Sequence, residues 1–169
     1  MNVQATRGAE PLVVGLGALD RGDDGIGPVV ARAIESLGLP GVRVAVHEDP
    51  TALLHLWSGV DFTIVVDAIM SGGQPGDVLV REVGAGSAAL PEEAWAETGR
   101  GGTHAFGLAT AVELARGLGR LPGRVVLVGV EAASFEHGEA LTAPVAAGCE
   151  RAVSAIRAVL DEAPVARAS

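Results

Sequence analysis

The sequence predicts an α/β domain, a three-layer α/β/α sandwich with a mainly parallel twisted sheet and an antiparallel edge strand. Apolar segments of strand length alternate along the chain with segments of helical periodicity. The strongest strand, residues 62–66 (FTIVV), is apolar on both faces, as expected of a parallel strand covered by helices on both sides. Residues 77–83 (DVLVREV) alternate in polarity instead, which is typical of an antiparallel edge strand.

The other elements follow in chain order. A short strand at residues 12–14 ends at a glycine turn, and a helix at 29–37 starts just after Pro28, which is tolerated in a first helical turn. Thr142 is the expected N-cap of the last helix. The remaining predicted elements are a strand at 42–46, a short helix at 52–57, a glycine-rich segment at 84–103, a helix at 105–118, a strand at 125–130 and a helix at 143–160.

Length and composition limit the classes of function. The chain has 169 residues, 49% of them hydrophobic, which suits a single domain at residues 11–161 with flexible tails at 1–10 and 162–169. A net charge of −9 repels phosphate backbones and anionic lipid, so neither nucleic acid nor a membrane is an expected partner. A single cysteine and an opening without an apolar stretch indicate a cytoplasmic protein.

Acidic side chains and one histidine follow the predicted strands or precede a helix. Asp23 and Asp24 come after the first strand, Asp67 ends the central strand, and His104 lies ahead of the long helix. Because ligands bind beyond the carboxyl ends of parallel strands, two carboxylates and an imidazole are expected to meet there, a set suited to Zn, Ni, Fe or Mn. The alternatives are a favourable charge at a helix N-terminus for Asp23 and Asp24, a turn cap for Asp67 and a backbone hydrogen bond for His104.

Other site motifs are absent from the sequence. The segment Gly15-Leu16-Gly17 is followed by Asp20 where a dinucleotide fingerprint needs its third glycine. No phosphate-binding P-loop, no G-x-S-x-G elbow and no H-E-x-x-H motif occurs. Cys149 falls within a predicted helix and is interpreted as a small core residue rather than a nucleophile.

Four segments resemble those of one protein family and occur in the same order along the chain. They are residues 15–28 (GLGALDRGDDGIGP), 64–69 (IVVDAI), 103–108 (THAFGL) and 125–145 (VVLVGVEAASFEHGEALTAPV). From about residue 12 to residue 160 the chain is similar to the hydrogenase maturation endopeptidases, which trim the C-terminus of the [NiFe]-hydrogenase large-subunit precursor. The resemblance implies an α/β/α sandwich, in agreement with the pattern of elements.

The resemblance also implies a site and a partner. The family's catalytic and metal-ligating residues fall on Asp24, Asp67 and His104, the same three side chains that the strand ends indicate. In this family the nickel already inserted in the precursor is the recognition element, and a metal-bound or carboxylate-activated water would attack the peptide carbonyl. The expected partner is the precursor, and the expected state is a monomer. Whether the isolated protein also binds a divalent metal is left open.

Two departures from the family pattern leave a second function in view. Ala18 stands where the family usually has Asn, and Glu48-Asp49-Pro50-Thr51 replaces the family's D-G-G-T. These changes mildly favour a non-catalytic, nickel-dependent binding module or assembly chaperone for the large subunit. A third alternative, an unrelated α/β nucleotide binder, is disfavoured by the missing third glycine and the acidic loop.

Overall fold

The computed structural model describes residues 10–87 and 107–163, which contain five strands and four helices. The strands are β1 (Leu12–Leu16), β2 (Arg43–His47), β3 (Phe62–Ile69), β4 (Val78–Glu82) and β5 (Arg124–Glu131). The helices are α1 (Ile26–Ser36), α2 (Leu53–Leu56), α3 (Leu108–Gly117) and α4 (Ala143–Glu162), with short 3₁₀ turns at Gly22–Gly25 and Pro50–Ala52.

The strands form one sheet in the order β2-β1-β3-β5-β4. Neighbours among β2, β1, β3 and β5 are parallel. The edge strand β4 runs antiparallel to β5, with Val78 opposite Val130. The predicted class, a mainly parallel sheet with an antiparallel edge strand, is therefore confirmed.

Helices cover both faces of this sheet, because alternate side chains of each strand point to opposite sides. On one face α1 and α4 pack over residues that include Val13, Ile64 and Val128. On the other face α2 and α3 pack over residues that include Val14, Val65 and Leu127. These two faces, the α1/α4 face and the α2/α3 face, give the three layers. Among the described residues, no helix has both the length and the apolar character needed to cross a membrane.

Two strands run at least two residues further than the sequence predicts. β1 continues to Leu16, because Leu16 pairs with His47 of β2. The prediction that the central strand ends at Asp67 is wrong, since β3 continues to Ile69 alongside β5. The predicted tails lie almost wholly outside the described residues, as does the start of the predicted helix at 105.

Two glycines let α1 approach the sheet closely. A Cβ on Gly15 would collide with the carbonyl oxygen of Gly27, and a Cβ on Gly27 would collide with that of Leu16 and lie 2.7 Å from that of Val66. Real Cβ atoms do not come so close to backbone oxygens, so both positions need glycine. The contact seats the first turn of α1 directly over the ends of β1 and β3, which fixes the turn that precedes α1.

We expect Gly27→Ala to lower the free energy of unfolding by about 2 kcal/mol or more, since the backbone must shift to relieve the overlap. Gly117→Ala is the matched control, because a Cβ at the end of α3 meets open space. This variant should be more stable than the wild type by less than about 1 kcal/mol. Urea unfolding of both variants measures the difference. Equal stability of the two variants would contradict this account of the α1 contact.

Candidate functional site

Asp24 lies in the 3₁₀ turn between β1 and α1 and is only 1% exposed. Its Oδ2 accepts a hydrogen bond from the backbone N–H of Ala18 at 2.9 Å. Gly17 has φ +133°, and a Cβ there would collide with the Asp24 backbone and lie 3.3 Å from Oδ1. The loop therefore needs glycine at 17 for conformation and for space, whereas position 18 contributes a backbone donor to Asp24.

Asp67 is fully buried near the end of β3. Pairing with β1 stops at Val66, so Asp67 is the first β3 residue beyond that pairing, at the level of Leu16 of β1. Its Oδ1 accepts from the N–H of Ala68 at 2.9 Å. By strand alternation its side chain belongs to the α2/α3 face, together with those of Val65 and Ile69.

The structure brings the two predicted carboxylates to the same edge of the sheet. The turn that carries Asp24 packs against β3, the strand that carries Asp67. His104 lies outside the described residues. Within residues 10–87 and 107–163 no three His, Cys, Asp or Glu side chains group closely enough to hold a metal ion. A ligand set that includes His104 stays a prediction.

Asp23 is fully buried and binds a different part of the chain from Asp24. Its Oδ2 accepts from the backbone N–H groups of Ala133 (2.8 Å) and Ser134 (3.0 Å). Its Oδ1 accepts from the N–H of Thr142 at 2.7 Å, and the Thr142 hydroxyl lies 3.0 Å from both oxygens. A buried carboxylate needs such donors to replace its hydration. Asp23 thus ties the loop after β1 to the loop after β5, a role beyond a charge at a helix N-terminus.

Thr142 does occupy the N-cap position of α4, as predicted, but its side chain does not cap that helix. The hydroxyl instead donates to Asp23, a charged acceptor that forms a stronger hydrogen bond than a neutral one. The Thr142 carbonyl accepts from the N–H of Ala146 at 2.9 Å and so begins the helix. Sequence reasoning finds the boundary of α4 and misses the partner of its first side chain.

Glu131 is a further buried acid at the carboxyl edge that sequence reasoning did not single out. It ends β5 opposite Ile69 of β3 and is 4% exposed. Its carboxylate accepts from the Ser71 hydroxyl (2.6 Å) and from the N–H groups of Ser71 (2.9 Å) and Gly72 (3.1 Å). It therefore holds the turn after β3. The signal in the sequence is the one that indicated Asp67, an acid at the end of an apolar strand.

A groove of about 460 Å³ opens beside the Asp24 turn, at the carboxyl ends of β1 and β2. Leu19 and Val46, exposed by 46% and 37%, give it an apolar part. Gly17 both lines the groove and contacts Asp24, so the two are continuous. The lining residues are Gly17, Leu19, Pro28, Arg32, Val46, His47, Glu48 and Asp49.

The segment that departs from the family pattern forms one end of this groove. Asp49 Oδ1 accepts from the N–H of Thr51 at 2.8 Å and so caps the following 3₁₀ turn. Pro50 is buried in the first turn, where its missing N–H costs no hydrogen bond. The segment is thus locally well ordered by its own sequence.

Cys149 lies in α4 and is partly buried against the core on the α1/α4 face. Burial, and secondarily the negative charge of Glu150, raises the pKa of the Cys149 thiol. The thiolate is the nucleophilic form, so a raised pKa opposes nucleophilic catalysis by this residue. The interpretation of Cys149 as a core residue agrees with its packing.

Comparisons with known proteins point to one family. A family model described as hydrogenase maturation protease matches residues 49–159. The hydrogenase maturating endopeptidase HybD from E. coli is similar in structure, with a TM-score of 0.74, 27% identity, and coverage of 92% of this chain and 94% of that one. A hydrogenase 2 maturation peptidase from a Thaumarchaeota archaeon has a TM-score of 0.66 and 25% identity over 89% of this chain and 97% of its own. No curated protein matches the sequence.

We expect Cys149 to react with iodoacetamide along a pH profile whose midpoint lies above that of free cysteine, because its raised pKa keeps the thiol neutral to higher pH. As Cys149 is the only cysteine in the chain, mass spectrometry reports its alkylation directly. The urea-unfolded protein is the control and should follow the profile of free cysteine. A folded-state midpoint at or below that control would show that the site activates the thiol.

Proposed function

This chain belongs to the hydrogenase maturation protease family, and on that premise we propose that it removes the C-terminal extension of a [NiFe]-hydrogenase large-subunit precursor. It is accordingly a peptidase. The observation that carries the proposal is the pair Asp24 and Asp67, two buried carboxylates brought to one edge of the sheet beside an open groove. The precursor is the substrate, and the nickel that it already contains is the element recognised.

Asp24, Asp67 and His104 would complete the coordination of the precursor's nickel. Carboxylate and imidazole donors are suitable ligands for this ion. Burial of Asp24 and Asp67 supports this assignment, because removal of a carboxylate from water is costly and a bound cation offsets that cost. A nickel-free precursor would lack this interaction, so cleavage would follow metal insertion and not precede it.

Docking by the metal would place one peptide bond of the precursor in the crevice. A water activated by a carboxylate then attacks the carbonyl carbon, and its proton passes to the leaving amine as the peptide C–N bond breaks. The products are a mature chain with a new carboxylate and a released C-terminal peptide. The groove lined by Leu19 and Val46, of about 460 Å³, would receive residues that flank this bond.

The alternative is a non-catalytic, nickel-dependent binding module, favoured by Ala18 in place of the family's Asn. The contact to Asp24 at this position comes from the backbone N–H, which every residue except proline provides. Loss of the side-chain amide therefore leaves that hydrogen bond in place. The retained hydrogen bond to Asp24 favours the endopeptidase over the non-catalytic binding module.

We expect incubation with a nickel-loaded precursor to remove one C-terminal peptide, and a nickel-free precursor to stay intact. Intact-mass spectrometry before and after incubation measures both. Binding of the nickel-loaded precursor without a change in its mass would instead support the binding module. Cleavage that is equally fast with and without nickel would contradict nickel recognition.

We expect His104→Ala to abolish processing without unfolding the protein, because one ligand to the nickel is lost. His55→Ala is the matched control, since His55 is an exposed histidine of α2 outside the site, and it should process normally. Circular dichroism confirms that both variants are folded. Normal processing by His104→Ala would remove this residue from the site.

We expect Asp24→Asn to weaken divalent-metal binding about tenfold or more, since the amide keeps the shape of the side chain and removes its charge. Calorimetric titration of the variant and the wild type with Ni²⁺ measures the change. Unchanged affinity, where the wild type binds the ion, would argue against Asp24 as a ligand.

A further inference from the structure

The loop that carries Asp24 is bonded along its length to the loop between β5 and α4. The N–H of Gly22 donates to the carbonyl of Glu139 at 3.0 Å, and the N–H of Gly138 donates to that of Asp20 at 2.6 Å. These bonds run in both directions, so each loop supplies donors and acceptors to the other. The two loops are thereby held as one unit at the carboxyl edge.

At the centre of this unit lies the Asp23 carboxylate. Its donors in the β5–α4 loop come from Ala133, Ser134 and Thr142, over 100 residues away in the chain. The Asp23 N–H also donates to the carbonyl of Ser134 at 2.9 Å. An asparagine could accept from the donors at only one of the two oxygens, and its NH2 group would oppose the N–H groups that face the other, so the position favours a carboxylate.

We propose that Asp23 is a positioning residue, with Thr142 as its partner, and that it fixes the direction of the neighbouring Asp24 carboxylate. The two acids are adjacent in a four-residue 3₁₀ turn, so a rotation of the chain that redirects Asp24 must break the bonds of Asp23. The role of Asp24 as a nickel ligand in this inference rests on the proposed function. The placement itself rests on the hydrogen bonds of Asp23.

The chemical benefit of this anchor is preorganisation. A metal ligand or a base works best when it is already held in its productive direction, since no free energy is then spent on ordering it during the reaction. The local bond from Ala18 to Asp24 Oδ2 spans only six residues within one loop. The Asp23 anchor attaches that loop to the segment between β5 and α4, two elements whose apolar residues belong to the core of the domain.

Thr142 allows a test that leaves every acid in place. Thr142→Val keeps the shape and the backbone N–H and removes the hydroxyl that lies 3.0 Å from both Asp23 oxygens. Thr142→Ser restores the hydroxyl. Ile156→Val is the matched control, because Ile156 is a core residue of the same helix, and its truncation lowers stability without removing a hydrogen bond to Asp23.

We expect Thr142→Val to lower the single-turnover rate of precursor processing about tenfold at subsaturating precursor, and to raise the precursor concentration needed for saturation, because a redirected Asp24 is a poorer ligand for the nickel. Thr142→Ser should recover most of the rate, and Ile156→Val should keep the wild-type rate. All four proteins are compared at a temperature at which each is folded. If Thr142→Val keeps the wild-type rate, or loses no more than Ile156→Val, the anchor is structural only and the proposal fails.

Hydrogen exchange at the Ala18 amide tests the placement without any activity. This N–H donates to Asp24 Oδ2, so its exchange reports whether the carboxylate keeps its direction. We expect exchange about tenfold faster in Thr142→Val and unchanged in Ile156→Val. Unchanged exchange in Thr142→Val overturns the proposal. If wild-type protein does not process the precursor while Ala18 shows the expected exchange, the proposed function fails and the positioning role of Asp23 stands.

Discussion

The carboxyl edge of this domain depends on one buried interaction, the Asp23 carboxylate enclosed by donors from the loop between β5 and α4. A carboxylate in a water-free position is costly unless hydrogen bonds replace its hydration, and here the backbone and Thr142 supply them. Because the donors come from a distant part of the chain, the turn that contains Asp23 is stabilised by contacts with the segment between β5 and α4. The neighbouring Asp24 takes its position from that turn.

The second constraint is the register of the sheet. β3 continues beyond the end of its pairing with β1 while it remains paired to β5, so Asp67 is paired to β5 alone. Its side chain is buried on the α2/α3 face, and the turn that carries Asp24 packs against the same strand. Gly15 and Gly27 allow α1 to approach the opposite face of the sheet closely. The glycines, the register and the Asp23 anchor together bring an acid of the β1–α1 turn and an acid of β3 to one edge of the sheet.

Much of this architecture can be predicted from the sequence because it follows from local pattern. Apolar strand segments predict the sheet, and the alternation of residues 77–83 predicts its antiparallel edge. The position of Asp24 and Asp67 relative to the predicted strands places both acids at the carboxyl edge. The partners of Asp23 and the bonds of Glu131 cannot be found in this way, because each joins segments that are distant in the chain. The extension of β3 depends likewise on β5, and local periodicity carries no information about pairing length.

The central claim is that Asp24 and Asp67 recognise the nickel of the precursor, and a thermodynamic cycle tests it most directly. The affinity of the protein for nickel-loaded and nickel-free precursor is measured by calorimetry, for the wild type and for Asp67→Asn. We predict that the wild type binds the nickel-loaded form about tenfold more tightly or better, and that Asp67→Asn loses most of that difference. Equal affinity of the wild type for the two precursors, or an undiminished difference in Asp67→Asn, would contradict it.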